Sequence, residues 1–208
     1  MTLSAKEALE KLRSGNGRFV ANHPEYHTHA GTTARTELAA GQSPFAVILG
    51  CSDSRVPVEL VFDQGLGDLF VIRVAGNIVG RAIMGSIEYA TAQLGARLVV
   101  VLGHSQCGAV SMTVKESDNP TEGLSPNLAS IVERMQPALQ ACAHDEASDC
   151  DRRVEGVVRT NVRNSAQHLR QGSDLMKEEI SERGLRVVGA SYSLTTGLVE
   201  FFDGLPME

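Results

Sequence analysis

Residues 45–55 read FAVILGCSDSR: an apolar run, Phe45 to Gly50, closes in Cys51, Ser52, Asp53, Ser54 and Arg55. An unbroken apolar run of this length fits a strand buried on both faces, and such strands belong to parallel sheets covered by helices. Past its end a thiol, a carboxylate and a guanidinium fall at alternate positions. In extended backbone alternate side chains share one side, so the three can converge on one ligand. A second run, LVVVLG at 98–103, ends in the same manner in His104, Ser105, Gln106 and Cys107. Two strand ends thus supply Cys51, His104 and Cys107, with Asp53 to spare, which is a zinc set with one position left open.

Between these runs the chain alternates. Pro57 sits where a helix can begin, with Val58, Leu60, Val61 and Phe62 behind it, and Gly65 and Gly67 break that helix. Leu69 to Val74 reads as a compact strand that ends in Arg73-Val74-Ala75-Gly76-Asn77. Arg81 to Leu94 carries Ile83, Ile87, Tyr89, Ala90 and Leu94 at near-helical spacing, stopped by Gly95 before the strand Leu98 to Leu102. The order is β-α-β-α-β with right-handed crossovers. Downstream, Gly108 to Val114 is helical, Lys115 to Ser125 is turn-rich, and a helix spans Pro126 to Cys142. A polar break at 143–151 follows, then a helix marked by Val154, Val157, Val158, Val162 and Leu169, and a shorter one around Leu175 and Ile180. Leu185 to Tyr192, a turn at Thr195-Thr196-Gly197, and Leu198 to Phe202 form a hairpin at the sheet edge. The expected fold is α/β: a mostly parallel sheet of about four parallel strands plus an antiparallel edge strand, flanked by helices.

Upstream, Ser4 and Glu7 form a capping box, and Ala5, Ala8, Leu9 and Leu12 follow at helical spacing until Gly15 and Gly17 end the helix. The loop His23 to Thr33 holds His23, His27 and His29, which read as solvated because no cysteine or second cluster completes a ligand set. A helical piece, Ala34 to Ala40, leads through Gly41-Gln42-Ser43-Pro44 into the first strand. The chain reads as one domain over 1–208, with a helical arm at 1–44 and an α/β core with a C-terminal hairpin at 45–208.

With 208 residues, 42% of them hydrophobic, the chain can bury a sizeable core. A net charge of −6 and the lack of a basic stripe argue against nucleic acid as a partner, and no apolar run is long enough to span a membrane. Without a signal-peptide pattern the expected location is cytoplasmic. Four cysteines, Cys51, Cys107, Cys142 and Cys150, are too few for a disulfide scaffold. Cys142 and Cys150, with His144 between them, read as free thiols, since no fourth ligand is spaced to finish a set. A phosphatase-like C-x5-R loop fails because the sixth residue after Cys51 is Pro57, and Gly65-x-Gly67 lacks the third glycine of a dinucleotide loop.

CSDSRVP at 51–57, FVIRVAGN at 70–77, SIEYA at 86–90 and GHSQCGA at 103–109 resemble the β-class carbonic anhydrases over nearly the whole chain. The resemblance implies one zinc per chain held by Cys51, His104 and Cys107, with Asp53 and Arg55 as a catalytic dyad. It implies reversible hydration of carbon dioxide to bicarbonate and a proton by a zinc-bound hydroxide, and a homodimer that can pair into a homotetramer. It also places Gln42, Phe70, Ala75, Tyr89 and Gly108 along the substrate pocket. From the residues alone, Phe70 and Tyr89 read as core packing and Gln42 as a solvated amide. One departure is visible: the bicarbonate-inhibited members carry a Trp three residues before the first ligand, where this chain has Ile48, and it has no Trp at all.

The chemistry of the residues agrees. Zinc with two thiolates and a neutral imidazole has a formal charge near zero, so its water needs help. Asp53, held by Arg55, can accept a hydrogen bond from the nucleophile and orient it. Freed from Arg55, Asp53 could swing onto zinc as a fourth ligand in a closed state. Two other readings share these residues: a carbonyl sulfide or carbon disulfide hydrolase on the same scaffold, and a non-catalytic zinc-stabilised binding protein.

Overall fold

Five strands, β1 (Ala46–Gly50), β2 (Leu69–Arg73), β3 (Leu98–His104), β4 (Arg186–Tyr192) and β5 (Val199–Asp203), pair in the spatial order β2-β1-β3-β4-β5. In this computed structural model, which describes residues 3–25, 35–36, 38–120, 123–142 and 150–205, the first four are parallel and β5 runs antiparallel to β4. The α/β expectation of four parallel strands and an antiparallel edge is met. Around the sheet lie α1 (Ala5–Val20), α2 (Val58–Val61), α3 (Arg81–Glu88), α4 (Gly108–Asp118), α5 (Pro126–Ala141), α6 (Cys150–Gln171) and α7 (Asp174–Glu182).

Every residue of β1 and β3 is buried, as their unbroken apolar sequence requires. Alternate side chains divide between two faces. Ile48, Val100, Leu102, Val188 and Ala190 meet Leu9 and Leu12 of α1 and Val58 and Val61 of α2. Val47, Leu49, Val99, Val101 and Val187 meet Ile87 of α3, Val162, Ala166 and Leu169 of α6 and Met176 of α7. A third cluster, formed by α4, α5 and α6, encloses Cys51 and Cys107. The strand order explains where a site belongs. The chain leaves β1 toward β2 and leaves β3 toward β4, in opposite directions, so with right-handed crossovers the two connections run over opposite faces. A crevice is left at the carboxyl ends of β1 and β3.

Several boundaries differ from the sequence expectation. Gly15 and Gly17 do not end α1, which runs to Val20. Gly15 is a contact residue: a Cβ there would lie 1.8 Å from the Phe62 carbonyl oxygen, so only glycine lets α1 lie against the backbone after α2. The next residue, Asn16, is buried; its Nδ2 donates to the carbonyls of Val61 (3.0 Å) and Gly197 (2.8 Å), and its Oδ1 accepts from Val199 (2.9 Å). The capping box is present, with Ser4 Oγ accepting from the Glu7 amide and Glu7 accepting from the Ser4 amide.

Pro57 is the N-cap of α2, in extended backbone, and not its first helical residue. The helix expected over Arg81 to Leu94 is α-helical to Glu88 and turns into a π-helix at Tyr89–Gln93. α4 continues past Val114 to Asp118, and α5 ends at Ala141 with Cys142 as its cap. Of the piece expected at Ala34 to Ala40, Arg35, Thr36 and Leu38 are helical, while 34 and 37 lie outside the described residues. His27, His29, His144 and the side chain of Cys150 also lie outside them; His23 is exposed. Among the described residues no helix is long and apolar enough to cross a membrane.

Candidate metal centre

Cys51 follows β1 directly, His104 is the last residue of β3, and Cys107 is the N-cap of α4. All three are buried, and their ligand atoms lie within 4.8 Å of one another. His104 Nδ1 sits 2.9 Å from the Ser105 carbonyl oxygen. A carbonyl only accepts, so Nδ1 carries the hydrogen and Nε2 presents a lone pair. That Nε2 is buried and, among the described residues, has no hydrogen-bond partner. A buried acceptor without a partner is costly, and a metal facing the two cysteine sulfurs would satisfy it. The donor set of two thiolates and one imidazole, with room for one more ligand, fits zinc.

The two thiols act on each other through a hydrogen bond. The Cys51 thiol is pulled down to about 4, chiefly by a hydrogen bond from Cys107, with the Gly76 amide also assisting against burial. The Cys107 thiol is pushed up, because it donates to Cys51, is buried and faces the Cys51 charge; the amides of Val110 and Ala109 at the start of α4 pull the other way.

Asp53 stands beside the ligands, with Oδ2 3.9 Å from His104 Nε2. Both its oxygens are engaged by Arg55: Oδ1 accepts from Nε (2.9 Å) and from the Arg55 amide (3.0 Å), and Oδ2 accepts from Nη2 (2.7 Å). That bidentate pairing holds the Asp53 carboxyl well below the usual carboxylate range. Arg55 Nη2 also donates to the Gln106 carbonyl at 3.3 Å, which links the dyad to the loop carrying His104 and Cys107.

A family model described as carbonic anhydrase matches residues 46–199. Carbonic anhydrase 2 of Mycobacterium tuberculosis H37Rv is 41% identical over 192 residues, covering 91% of this chain and 89% of the relative. The carbonic anhydrase of Mycolicibacterium smegmatis is 40% identical, covering 93% and 91%. One of two tetrameric β-carbonic anhydrases of Sordaria macrospora superimposes with a TM-score of 0.75 at 27% identity, covering 94% of this chain and 97% of that one. The chain belongs to the β-class carbonic anhydrases.

The crevice of this β-carbonic anhydrase thus assembles Cys51, Asp53, Arg55, His104 and Cys107. Ala75 lies in the turn Ala75–Asn77, next to Gly76, whose amide donates to Cys51 Sγ at 3.4 Å. Gly108, exposed, opens α4 directly after Cys107. Phe70 and Tyr89 pack together, with ring centroids 6.2 Å apart. Phe70 pairs in register with Val47, three residues back along β2 from Arg73, so it lies away from the carboxyl ends of the strands within this chain. Gln42 is exposed, in a depression lined by Leu38, Leu66 and Gly67. Ile48, at the position of the regulatory Trp, is wholly buried in the core. Cys142 Sγ lies 3.2 Å from Thr160 Oγ1.

The sequence reading assigned no role to Arg73, whose Nε donates to the Cys51 carbonyl (3.0 Å) and whose Nη2 donates to the Asp53 carbonyl (2.5 Å). It pins the backbone on which both groups sit. The available signal was an arginine closing an apolar strand beside the one that carries Cys51.

Proposed function

We propose that this chain catalyses the reversible hydration of carbon dioxide to bicarbonate and a proton, as a zinc lyase with one zinc per chain. The observation that carries this reading is the buried Cys51, His104 and Cys107 trio beside an Asp53 whose two oxygens are both engaged by Arg55. A non-catalytic zinc fold has no use for such a dyad. The relatives described above are named carbonic anhydrases, so hydrolysis of carbonyl sulfide or carbon disulfide is not favoured.

When bound, zinc supplies Lewis acidity that can bring the pKa of water from about 15.7 to about 7, making hydroxide available at neutral pH. The rest is the work of the chain. Cys51, His104 Nε2 and Cys107 would hold the metal. Asp53, kept ionised by Arg55, acts as an acceptor and not as an acid, and it aligns the attacking group by hydrogen bonding. Arg55, by engaging both Asp53 oxygens, would keep that carboxylate from serving as a further ligand to the metal. Gln42, Phe70, Ala75, Tyr89 and Gly108 are assigned to the substrate pocket. The chain acts as one domain over 1–208, in the cytoplasm, as a homodimer or a homotetramer; the tetrameric Sordaria macrospora enzymes support an oligomer.

The test is stopped-flow hydration of carbon dioxide with metal content measured on the same sample. We expect about one zinc per chain, and Cys107→Ser should lose both zinc and activity. Full zinc and full turnover in that variant would refute the ligand assignment. Gln42→Ala should slow turnover with zinc retained; an unchanged rate would remove Gln42 from the pocket.

A further inference from the structure

A thiolate ligand donates less charge to its metal when an N–H donates a hydrogen bond to it, so the placing of such a donor tunes the centre. The Gly76 amide is such a donor, 3.4 Å from Cys51 Sγ in a buried setting. What places it is only partly local, since the turn's own closing bond, from the Asn77 amide to the Val74 carbonyl at 2.9 Å, does not engage the Gly76 carbonyl. Gly76 occupies the left-handed region, with φ 69°, and is the residue type with the greatest freedom to leave it. Asn77, directly after it, is also left-handed, at φ 43°. A glycine followed by a left-handed asparagine does not hold one amide direction unaided.

The hold comes from α6, a helix distant in sequence. Asn161 is buried, and its Nδ2 donates to the Gly76 carbonyl at 2.8 Å. Ser165, one helical turn later and also buried, donates from Oγ to the Asn77 carbonyl at 3.2 Å. Residues four apart lie on one helix face, so α6 grips two consecutive carbonyls of the turn. Met135 of α5 seals the other side, since a Cβ on Gly76 would come within 2.8 Å of its sulfur.

We propose that Asn161 is a positioning residue for the metal centre: by fixing the Gly76 carbonyl, with Ser165 holding the next one, it aims the Gly76 amide at the Cys51 sulfur. The proposal rests on the zinc reading above. The two can nonetheless fail separately.

The experiment uses the full chain reconstituted with cobalt(II), whose sulfur-to-metal charge-transfer band reports electron donation from the thiolates. Loss of the N–H donor makes the sulfur more electron-rich, so the band should move to longer wavelength in Asn161→Ala. It should move in the same direction in Asn161→Leu, which keeps the side-chain volume but has no donor hydrogen. The zinc dissociation constant, read with a chromophoric chelator, should rise by about 10-fold or more. Asn164→Ala, on the same helix but outside this contact, should leave both readings at wild-type values. Should Asn161→Ala fail to fold, Ser165→Ala should give a smaller shift in the same direction. A wild-type band with folded Asn161 or Ser165 variants that leave it unmoved would overturn the positioning role alone. Absence of any charge-transfer band in the wild type would overturn the zinc reading and this proposal together.

Discussion

Asp53 has two acceptor oxygens, and Arg55 takes both, with a bond from its own amide as well. Removing the guanidinium leaves a carboxylate held only by the backbone amide of residue 55, 3.9 Å from His104 Nε2, as the nearest free anion to a metal that prefers four ligands. Arg55→Ala should therefore retain zinc, by metal analysis, while hydration falls by on the order of 100-fold or more. Asp53→Ala should keep the fourth position open and retain more activity than Arg55→Ala, having lost orientation only. The reverse order, or near wild-type turnover in Arg55→Ala at full zinc occupancy, would reduce Arg55 to a surface ion-pair partner. These five residues were legible in the sequence because each ends or follows an apolar run, so a linear pattern marks a place in space. Arg73, Gly76 and Asn161 were not. They act through backbone carbonyls and amides, and a contact between residues 76 and 161 leaves no periodicity to read.

Among the elements, α1 best shows what propensity alone misses. Two glycines in its last turns signal a helix end, yet the helix passes through both. At Gly15 the cause is close approach to the Phe62 carbonyl, a contact 47 residues away that no local pattern can encode. At Gly17 a Cβ would meet nothing within 4 Å among the described residues. The two positions should therefore answer the same substitution with opposite signs. Gly17→Ala should stabilise by about 0.5–1 kcal/mol, the ordinary helix preference for alanine. Gly15→Ala should destabilise by about 1–3 kcal/mol, because the methyl group forces α1 off the backbone beyond α2 and strains the Asn16 bonds with it. Urea unfolding of both variants checks the pair; stabilisation by Gly15→Ala would mean that α1 is not seated as described. Where burial set the pattern, as in β1 and β3, the sequence located the strands to within two residues.

At the scale of the whole molecule, the metal ties stability to pH through the thiols that bridge the ends of β1 and β3. In the metal-free protein Cys51 is held low and Cys107 high, so near pH 7 the folded pair should bind one proton. The unfolded chain, with thiols titrating near 8.5, binds close to two. Stability rises with pH wherever the unfolded state binds more protons, so the apo protein should gain about 1.4 kcal/mol per pH unit from this pair. The Cys51 contribution is complete above the unfolded value and lost as pH falls toward about 4. The Cys107 contribution has the opposite sign and weakens the apo fold above the unfolded value. With zinc bound both cysteines are thiolates, the folded state binds neither proton, and the slope should double. Unfolding free energies of apo and zinc-loaded protein, measured around pH 7 at zinc levels too low to bind the unfolded chain, should diverge by about 1.4 kcal/mol per pH unit, the slope of one proton. Parallel lines would mean that both thiols are already ionised without the metal, or that zinc is held by other residues. Zinc content of the Cys51→Ser variant separates those two outcomes.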